Sequence, residues 1–226
     1  MKKYLVLSFD DGTIYDRKFI ELLNKYNIPA TLNLNSGLGG FVWYYDNHFP
    51  IERLKLEECG DMFDRHEIAS HTLTHPYLTS LSFEELVNEV NTDVNNLERI
   101  FKRKVESFGV PFTPCGEREI DIIKKHTPIK YMRLSYMKDK NDFTIPHDQY
   151  HFRINSFYDA LDLREQIKAF ADNNLEKSIF IIAGHSYEFE VHNHWDYIED
   201  LLKYIKSFEE FEIVTFKEAA KNLFDN

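Results

Sequence analysis

Tyr4-Leu5-Val6-Leu7-Ser8-Phe9-Asp10-Asp11-Gly12 opens the chain with an apolar, β-rich run that breaks off at two acids and a glycine. Six consecutive residues whose only side-chain polar groups are the Tyr4 and Ser8 hydroxyls leave no wet face, so residues 4–9 read as a strand buried on both sides, as in a parallel sheet. Phe19, Leu22, Leu23 and Tyr26 follow at helical spacing. Residues 30–35, 67–70, 107–110, 129–134, 152–155, 178–183 and 211–214 read as further strands.

Helices fall between them. Ser82 and Glu85 form a capping-box pair that opens a helix with Val87, Val90, Val94, Leu97 and Phe101 on one face. Trp195, Ile198, Leu202 and Ile205 mark another, and Thr215 with Glu218 caps a terminal one. This alternation predicts an α/β chain built on a parallel sheet, either open or closed into a barrel. With no linker, repeat or low-complexity tract, a single domain over residues 1–226 is expected.

The chain has 226 residues, 43% of them apolar, enough for a substantial core. Its net charge of −11 argues against nucleic acid and anionic membranes as partners, because both need basic patches. Two cysteines, Cys59 and Cys115, are too few for a disulfide framework. The first residues carry two lysines and only a short apolar stretch, so no secretory signal is read there, and a cytoplasmic location is expected. No apolar run approaches the length of a membrane span.

Chemistry concentrates after strands. Asp10-Asp11-Gly12, His71-Thr72-Leu73-Thr74-His75-Pro76 and Gly184-His185 each follow a predicted strand, and in parallel α/β folds ligands bind at the carboxyl ends of the strands. Each piece alone has a plain alternative: a strand-end turn, two solvated loop histidines, a strand-end histidine. Ten histidines in the chain make one His-x-x-x-His spacing unsurprising. Pro76 disfavours helical geometry at His75, which puts the pair on a loop. Zinc and similar ions accept two imidazoles and a carboxylate with a position left for water, and Asp11 can supply that carboxylate. Adjacent strand residues point to opposite faces, so Asp10 and Asp11 share one site only if the chain turns there. Gly12 would help it turn. A cation on Asp11 leaves Asp10 as a base, and His185 is a candidate proton donor. His192 and His194 read as lead-in to the next helix. The loop over residues 36–50 holds Gly37, Gly39 and Gly40, then Phe41, Trp43, Tyr44 and Tyr45. It reads either as a lid or stacking platform for a sugar ring, or as a loop pinned to the body by its aromatics.

Together these motifs resemble the polysaccharide deacetylase family (carbohydrate esterase family 4, the NodB homology domain) over nearly the whole chain. The resemblance implies a distorted (β/α) barrel of about seven parallel strands. It implies Asp10 as catalytic base, Asp11, His71 and His75 as ligands of a divalent metal, and His185 as general acid. The metal expected is zinc, with cobalt, nickel or manganese as alternatives. It implies removal of N- or O-linked acetyl groups from a carbohydrate. The family's third motif carries an arginine that contacts the catalytic aspartate. Here that stretch reads Phe108-Gly109-Val110-Pro111-Phe112, with Gly109 where the arginine is expected. Arg133 is the first candidate to supply the guanidinium and Arg153 the second. Phe112, Pro111, Trp43 and Tyr44 are the candidate substrate contacts, with the Phe112 N–H as an oxyanion donor. The fourth motif, an Asp and Trp stretch, is not evident, and Asn155-Ser156-Phe157-Tyr158 stands in its region. A substrate other than the usual chitin or peptidoglycan chain is therefore expected, and the stretch from Gly184 to Phe189 resembles a divergent bacterial subgroup.

Two other readings stay open on the sequence. Phe9-Asp10-Asp11-Gly12-Thr13 also resembles the Asp-x-Asp-Gly-Thr of haloacid dehalogenase-type phosphatases, but that chemistry needs the aspartates two apart on one side, and it leaves the histidines unexplained. A carbohydrate-binding protein on a retired deacetylase fold would explain the missing arginine and the aromatic loop, but not five retained reactive side chains.

Overall fold

The first strand, β1 (Lys2–Asp10), is buried at every position after Lys2. In the computed structural model, which describes residues 1–224, β1 lies between β2 (Thr31–Leu34) and β10 (Lys177–His185). It pairs with β10 in parallel from Lys2↔Lys177 to Asp10↔His185. From β2 the sheet continues through β5 (Glu67–Ser70), β6 (Ser107–Gly109), β7 (Tyr131–Met137) and β8 (Phe152–Ile154). On the other side, β9 (Ser156–Phe157) follows β10. The strands in this path all run parallel. A short strand, β11 (Glu212–Ile213), adds to β1.

The two ends of the path are one residue apart in sequence. β8 pairs with β7 and β9 pairs with β10, and Asn155 alone separates them. The sheet is thus a nearly closed, distorted (β/α) barrel, fastened at Asn155. Its side-chain Oδ1 accepts the Ile181 N–H at 2.8 Å, its own N–H donates to Ile181 O at 2.9 Å, and its Nδ2 donates to Asp142 O at 2.8 Å.

Alternation along the strands sorts the core into two parts. Leu5, Leu7 and Phe9 join the main cluster under the outer helices. Those helices are α1 (Asp16–Lys25), α2 (Phe83–Phe101), α3 (Glu117–His126), α4 (Leu163–Asp172), α5 (Ser186–Val191) and α6 (Trp195–Lys206). Tyr4 and Val6 face the barrel interior with Tyr131, Phe152, Ile179 and Ile181. The last helix, α7 (Phe216–Phe224), closes the bottom of that interior with Phe216, Ala219, Ala220 and Leu223. Towards the carboxyl ends the inward positions become polar: Ser8, Asn33, Asp10 and Arg133. Each of these four side chains makes at least one hydrogen bond to another of the four, which offsets part of the cost of burying them.

The Ser82–Glu85 capping box forms as expected. Three helices were not legible, α3, α4 and α5. The segment over residues 36–50 is not a free loop but leads into an antiparallel hairpin, β3 (Val42–Tyr45) with β4 (Phe49–Glu52). The expected strand over 211–214 shrinks to two residues. Among the described residues no helix is long and apolar enough to cross a membrane.

Asn155→Ala leaves the buried Ile181 N–H without its side-chain acceptor at the seam. We expect a loss of about 1–3 kcal/mol, read as a lower denaturant midpoint at unchanged slope.

Candidate active site

One cleft of about 650 Å³ opens at the carboxyl ends of the strands, lined by Asp10, Asp11, His71, His75, Arg133 and His185 among others. This volume suits a small-molecule or sugar site. Strand alternation delivers most of these groups. Asp10 ends β1 on the same side as Tyr4 and Val6, Arg133 lies two residues beyond Tyr131, and His185 continues the Ile179–Ile181 side of β10. Asp11 is out of step and must be turned in. Its backbone sits at φ +87° and Gly12 follows at φ +65°. A non-glycine residue held there carries a backbone cost that the surrounding structure must offset. At Gly12 a side chain would also meet Leu34 at 2.9 Å.

Asp10 Oδ1 accepts from Arg133 Nη2 at 2.5 Å and from Asn33 Nδ2 at 2.7 Å. Arg133 is fully buried on β7, one strand beyond Gly109, with which it is in register. A Cβ at Gly109 would lie 2.6 Å from Arg133 Nη2 and 2.6 Å from Asn33 Oδ1. The guanidinium therefore passes through the space that a residue-109 side chain would fill. Arg153 is exposed, lines a separate surface depression and does not reach Asp10.

The second aspartate has a different neighbourhood. His75 Nε2 is 3.3 Å and His71 Nε2 3.9 Å from Asp11 Oδ1. The two Nε2 atoms lie 3.2 Å apart. His71 Nδ1 donates to Gly109 O at 2.7 Å, which fixes the tautomer and leaves the Nε2 lone pair facing Asp11. Burial, with His75 next, holds the His71 imidazole well below its ordinary value. Burial also lowers His75, against the pull of Asp11. Burial pushes Asp11 up, but Arg53, then His185, His75 and His71 outweigh it and hold the carboxyl below the usual range.

The ligand-capable atoms of Asp11, His71 and His75 fall within 4.8 Å of one another, and buried Asp11 Oδ1 accepts no hydrogen bond. Arg53 Nη1 is 2.9 Å from that oxygen but out of hydrogen-bonding alignment. A carboxylate oxygen and two neutral imidazole nitrogens sharing one small space are the donor set of a zinc-class cation, so the residues fit a metal. A second group, His147, Asp148 and His151, is already paired internally. His151 Nδ1 is 2.5 Å from Asp148 and its Nε2 is 3.2 Å from Glu117.

His185 is partly exposed, with Nε2 3.9 Å from Asp11 Oδ2 and Nδ1 3.3 Å from Glu188 Oε1. Burial would lower it, but Glu188, then Asp11 and Asp10, raise it to about 9.

The expected substrate contacts divide. Trp43 and Phe112 line the cleft. Phe112 stacks on Tyr77 at 4.3 Å between centroids and meets the His75 ring edge-on, with its backbone at φ +56°. Tyr44 is 62% exposed and not part of the cleft wall, because alternation along β3 sends Trp43 and Tyr45 inward and Val42 and Tyr44 outward. Pro111 is buried and does not line the cleft. Tyr45 packs against Tyr187 and His192. Sequence reasoning missed Asn33, Arg53, Tyr187 and Glu188. Inward spacing along β2 signals Asn33, and nothing in the sequence signals Arg53.

Residues 1–128 match the polysaccharide deacetylase family. The chain belongs to it. That membership removes the phosphatase alternative. A curated relative, the peptidoglycan-N-acetylmuramic acid deacetylase PdaC of Bacillus subtilis (strain 168), is 25% identical over 146 residues, covering 64% of this chain and 29% of that protein. The chain thus spans somewhat less than a third of that relative's length. Among solved structures, the Xyl-CE4 domain of a multidomain xylanase from the hindgut metagenome of Trinervitermes trinervoides superposes with a TM-score of 0.64 at 16% identity, over 99% of this chain and 92% of that one. The family 4 acetyl xylan esterase of Clostridium thermocellum, solved with a cobalt ion, gives 0.62 at 14% identity, over 97% and 91%.

In the metal-free protein, NMR titration of the His185 ring should give a midpoint near 9, and Glu188→Gln should lower it. The folded-state value lies above the ordinary 6.5, so this contribution to stability is complete below that pH and is lost as pH rises through about 9. An unchanged midpoint in Glu188→Gln would exclude Glu188 as a cause.

Proposed function

We propose that this chain is a metal-dependent hydrolase that removes acetyl groups from a carbohydrate. The observation that carries the reading is the convergence of Asp10, Asp11, His71, His75 and His185 in one cleft of a polysaccharide deacetylase family member. Asp11, His71 and His75 would hold the cation, with zinc first and cobalt, nickel or manganese as alternatives. Such a cation, when bound, polarises a carbonyl and lowers the pKa of water.

The chain's own residues supply the remaining chemistry. Both hydrogen bonds to Asp10 fall on Oδ1, so Oδ2 is the atom that takes the proton from an attacking water. Arg133 and Asn33 hold that carboxylate in one orientation. The Phe112 N–H donates to the oxyanion. His185, on the far side of Asp11 from β5, gives its proton to the leaving nitrogen or oxygen. Amide cleavage depends on that proton more than ester cleavage does, because an amine anion is a very poor leaving group. Trp43 and the stacked Phe112–Tyr77 pair offer flat apolar faces to a sugar ring.

The test is acetate release by cobalt- or zinc-loaded protein from a panel of N- and O-acetylated sugars, with peptidoglycan fragments included because of the curated relative. Release that Asp10→Asn abolishes is the expected result, and the responding half of the panel separates amide from ester. Metal-independent binding of the sugars with no acetate from any of them would instead favour a binding protein.

Arg133→Ala should lower kcat by about two orders of magnitude while bound metal per chain stays unchanged. Arg133→Lys, which keeps the charge without the planar fork, should fall between the two. Full turnover in Arg133→Ala would remove it from the reaction.

A further inference from the structure

Arg53 follows β4, at the base of the aromatic hairpin, and is buried beside Asp11 with both side chains less than a tenth exposed. Its Nη1 donates to the Asp11 backbone carbonyl and to Asn35 Oδ1 at 2.9 Å. Its guanidinium carbon lies 4.7 Å from the centre of the Trp43 ring. Trp43 in turn meets Tyr187 edge-on at 5.5 Å, and Tyr187 lies against the His185 ring. One side chain thus joins the hairpin, the strained Asp11 backbone and the Asp11 carboxylate.

The placement sets a fixed cation beside the carboxylate assigned above to the metal. Arg53 Nη1 is 2.9 Å from Asp11 Oδ1, the oxygen that faces His71 and His75. It gives that oxygen charge without a hydrogen bond. The lone pairs remain available, but a fixed positive charge stands at the ligand. Asp10 is matched by Arg133 in the same cleft, so each aspartate already has its own guanidinium before any cation arrives.

We propose that Arg53 is a positioning residue that limits the affinity of the Asp11 centre for divalent cations while holding Asp11 in its turned-in conformation. This rests on the metal-centre reading given above. Two effects oppose each other. Holding the Asp11 backbone favours cation binding, and like-charge repulsion at close range in a buried setting disfavours it. Repulsion is the larger, because Asp11 is also turned in by Gly12 and by its N–H bond to Asn33 O at 3.0 Å, neither of which needs Arg53. A merely structural role for Arg53 predicts the opposite sign: its removal would loosen Asp11 and weaken the cation.

The experiment measures cation affinity directly, by chelator competition and calorimetry with zinc and cobalt, in the whole protein, alongside thermal unfolding. Arg53→Met should bind the cation roughly tenfold or more tightly than the parent. Arg53→Lys, which keeps the charge, should stay within about threefold. Trp43→Ala removes the ring support and keeps the charge, and should not tighten binding. Equal or weaker binding by folded Arg53→Met overturns the proposal and leaves the metal centre standing. If Arg53→Met does not fold, tightening in Arg53→Gln supports the proposal and its lack overturns it. No cation bound by the parent or any variant overturns this proposal together with the metal centre beneath it.

Discussion

A buried guanidinium–carboxylate pair spans the mouth of the barrel, and much of the site depends on it. Arg133 reaches from β7 across β6 to Asp10 at the end of β1. It can do so because Gly109 has no side chain. Neither charge is cheap to bury. Desolvation of such a pair can cancel its Coulombic gain, while loss of one partner typically costs about 3–5 kcal/mol. Arg133 Nε and Nη1 have no protein partner, so the arginine draws its compensation from one end only. The pair is better understood as fixing geometry than as adding stability. It holds Asp10 Oδ1 and leaves the other oxygen towards the cleft.

The barrel interior is layered to accommodate this. α7 seals the base with small and apolar side chains, and Tyr4, Val6, Ile179 and Ile181 fill the middle. Only the upper inward positions carry charge. Ser8 and Asn33 form the transition, Asn33 Nδ2 donating to Ser8 Oγ at 2.9 Å and to Asp10 Oδ1 at 2.7 Å. Support also comes from outside the sheet. Asp93, buried on α2, accepts from Ser70 Oγ at 2.5 Å and from Ser36 N at 2.7 Å. It ties the end of β5, just before His71, to the start of the hairpin segment. Burial pushes that carboxyl up to about 7 despite those bonds.

The parallel α/β sheet was legible because its strands are buried on both faces and its motifs sit at strand ends, while its closure into a barrel came only with the family resemblance. Those signals are local and periodic. Asp10, Asp11, His71, His75 and His185 were legible for the same reason. Arg133 was nameable because the third motif lacked its arginine and Arg133 stood near a strand end, but only Gly109's missing Cβ explains why it fits. Tyr44 was misread because a loop has no parity, and the segment turned out to be a strand with one inward and one outward face. Arg53 was invisible. Its approach to Asp11 depends on how a hairpin folds back over the sheet, and no sequence spacing encodes that.

Two adjacent carboxylates in one cleft would oppose each other's charge. The structure separates them by conformation and by partner. Asp10 keeps the strand direction and faces Arg133 and Asn33. Asp11 turns at φ +87° and faces Arg53 and the two histidines. A single peptide link thus carries two carboxylates with different surroundings, one hydrogen-bonded on a single oxygen and one with a buried oxygen that accepts no hydrogen bond. The two carboxylates therefore differ in their surroundings, since the residue types are identical, and the proposed division between a base and a ligand rests on that difference. The strained turn at Asp11 is what makes the difference, held by Gly12 and by the Asp11 N–H bond to Asn33 O, with the Arg53 contact to the Asp11 carbonyl added to them.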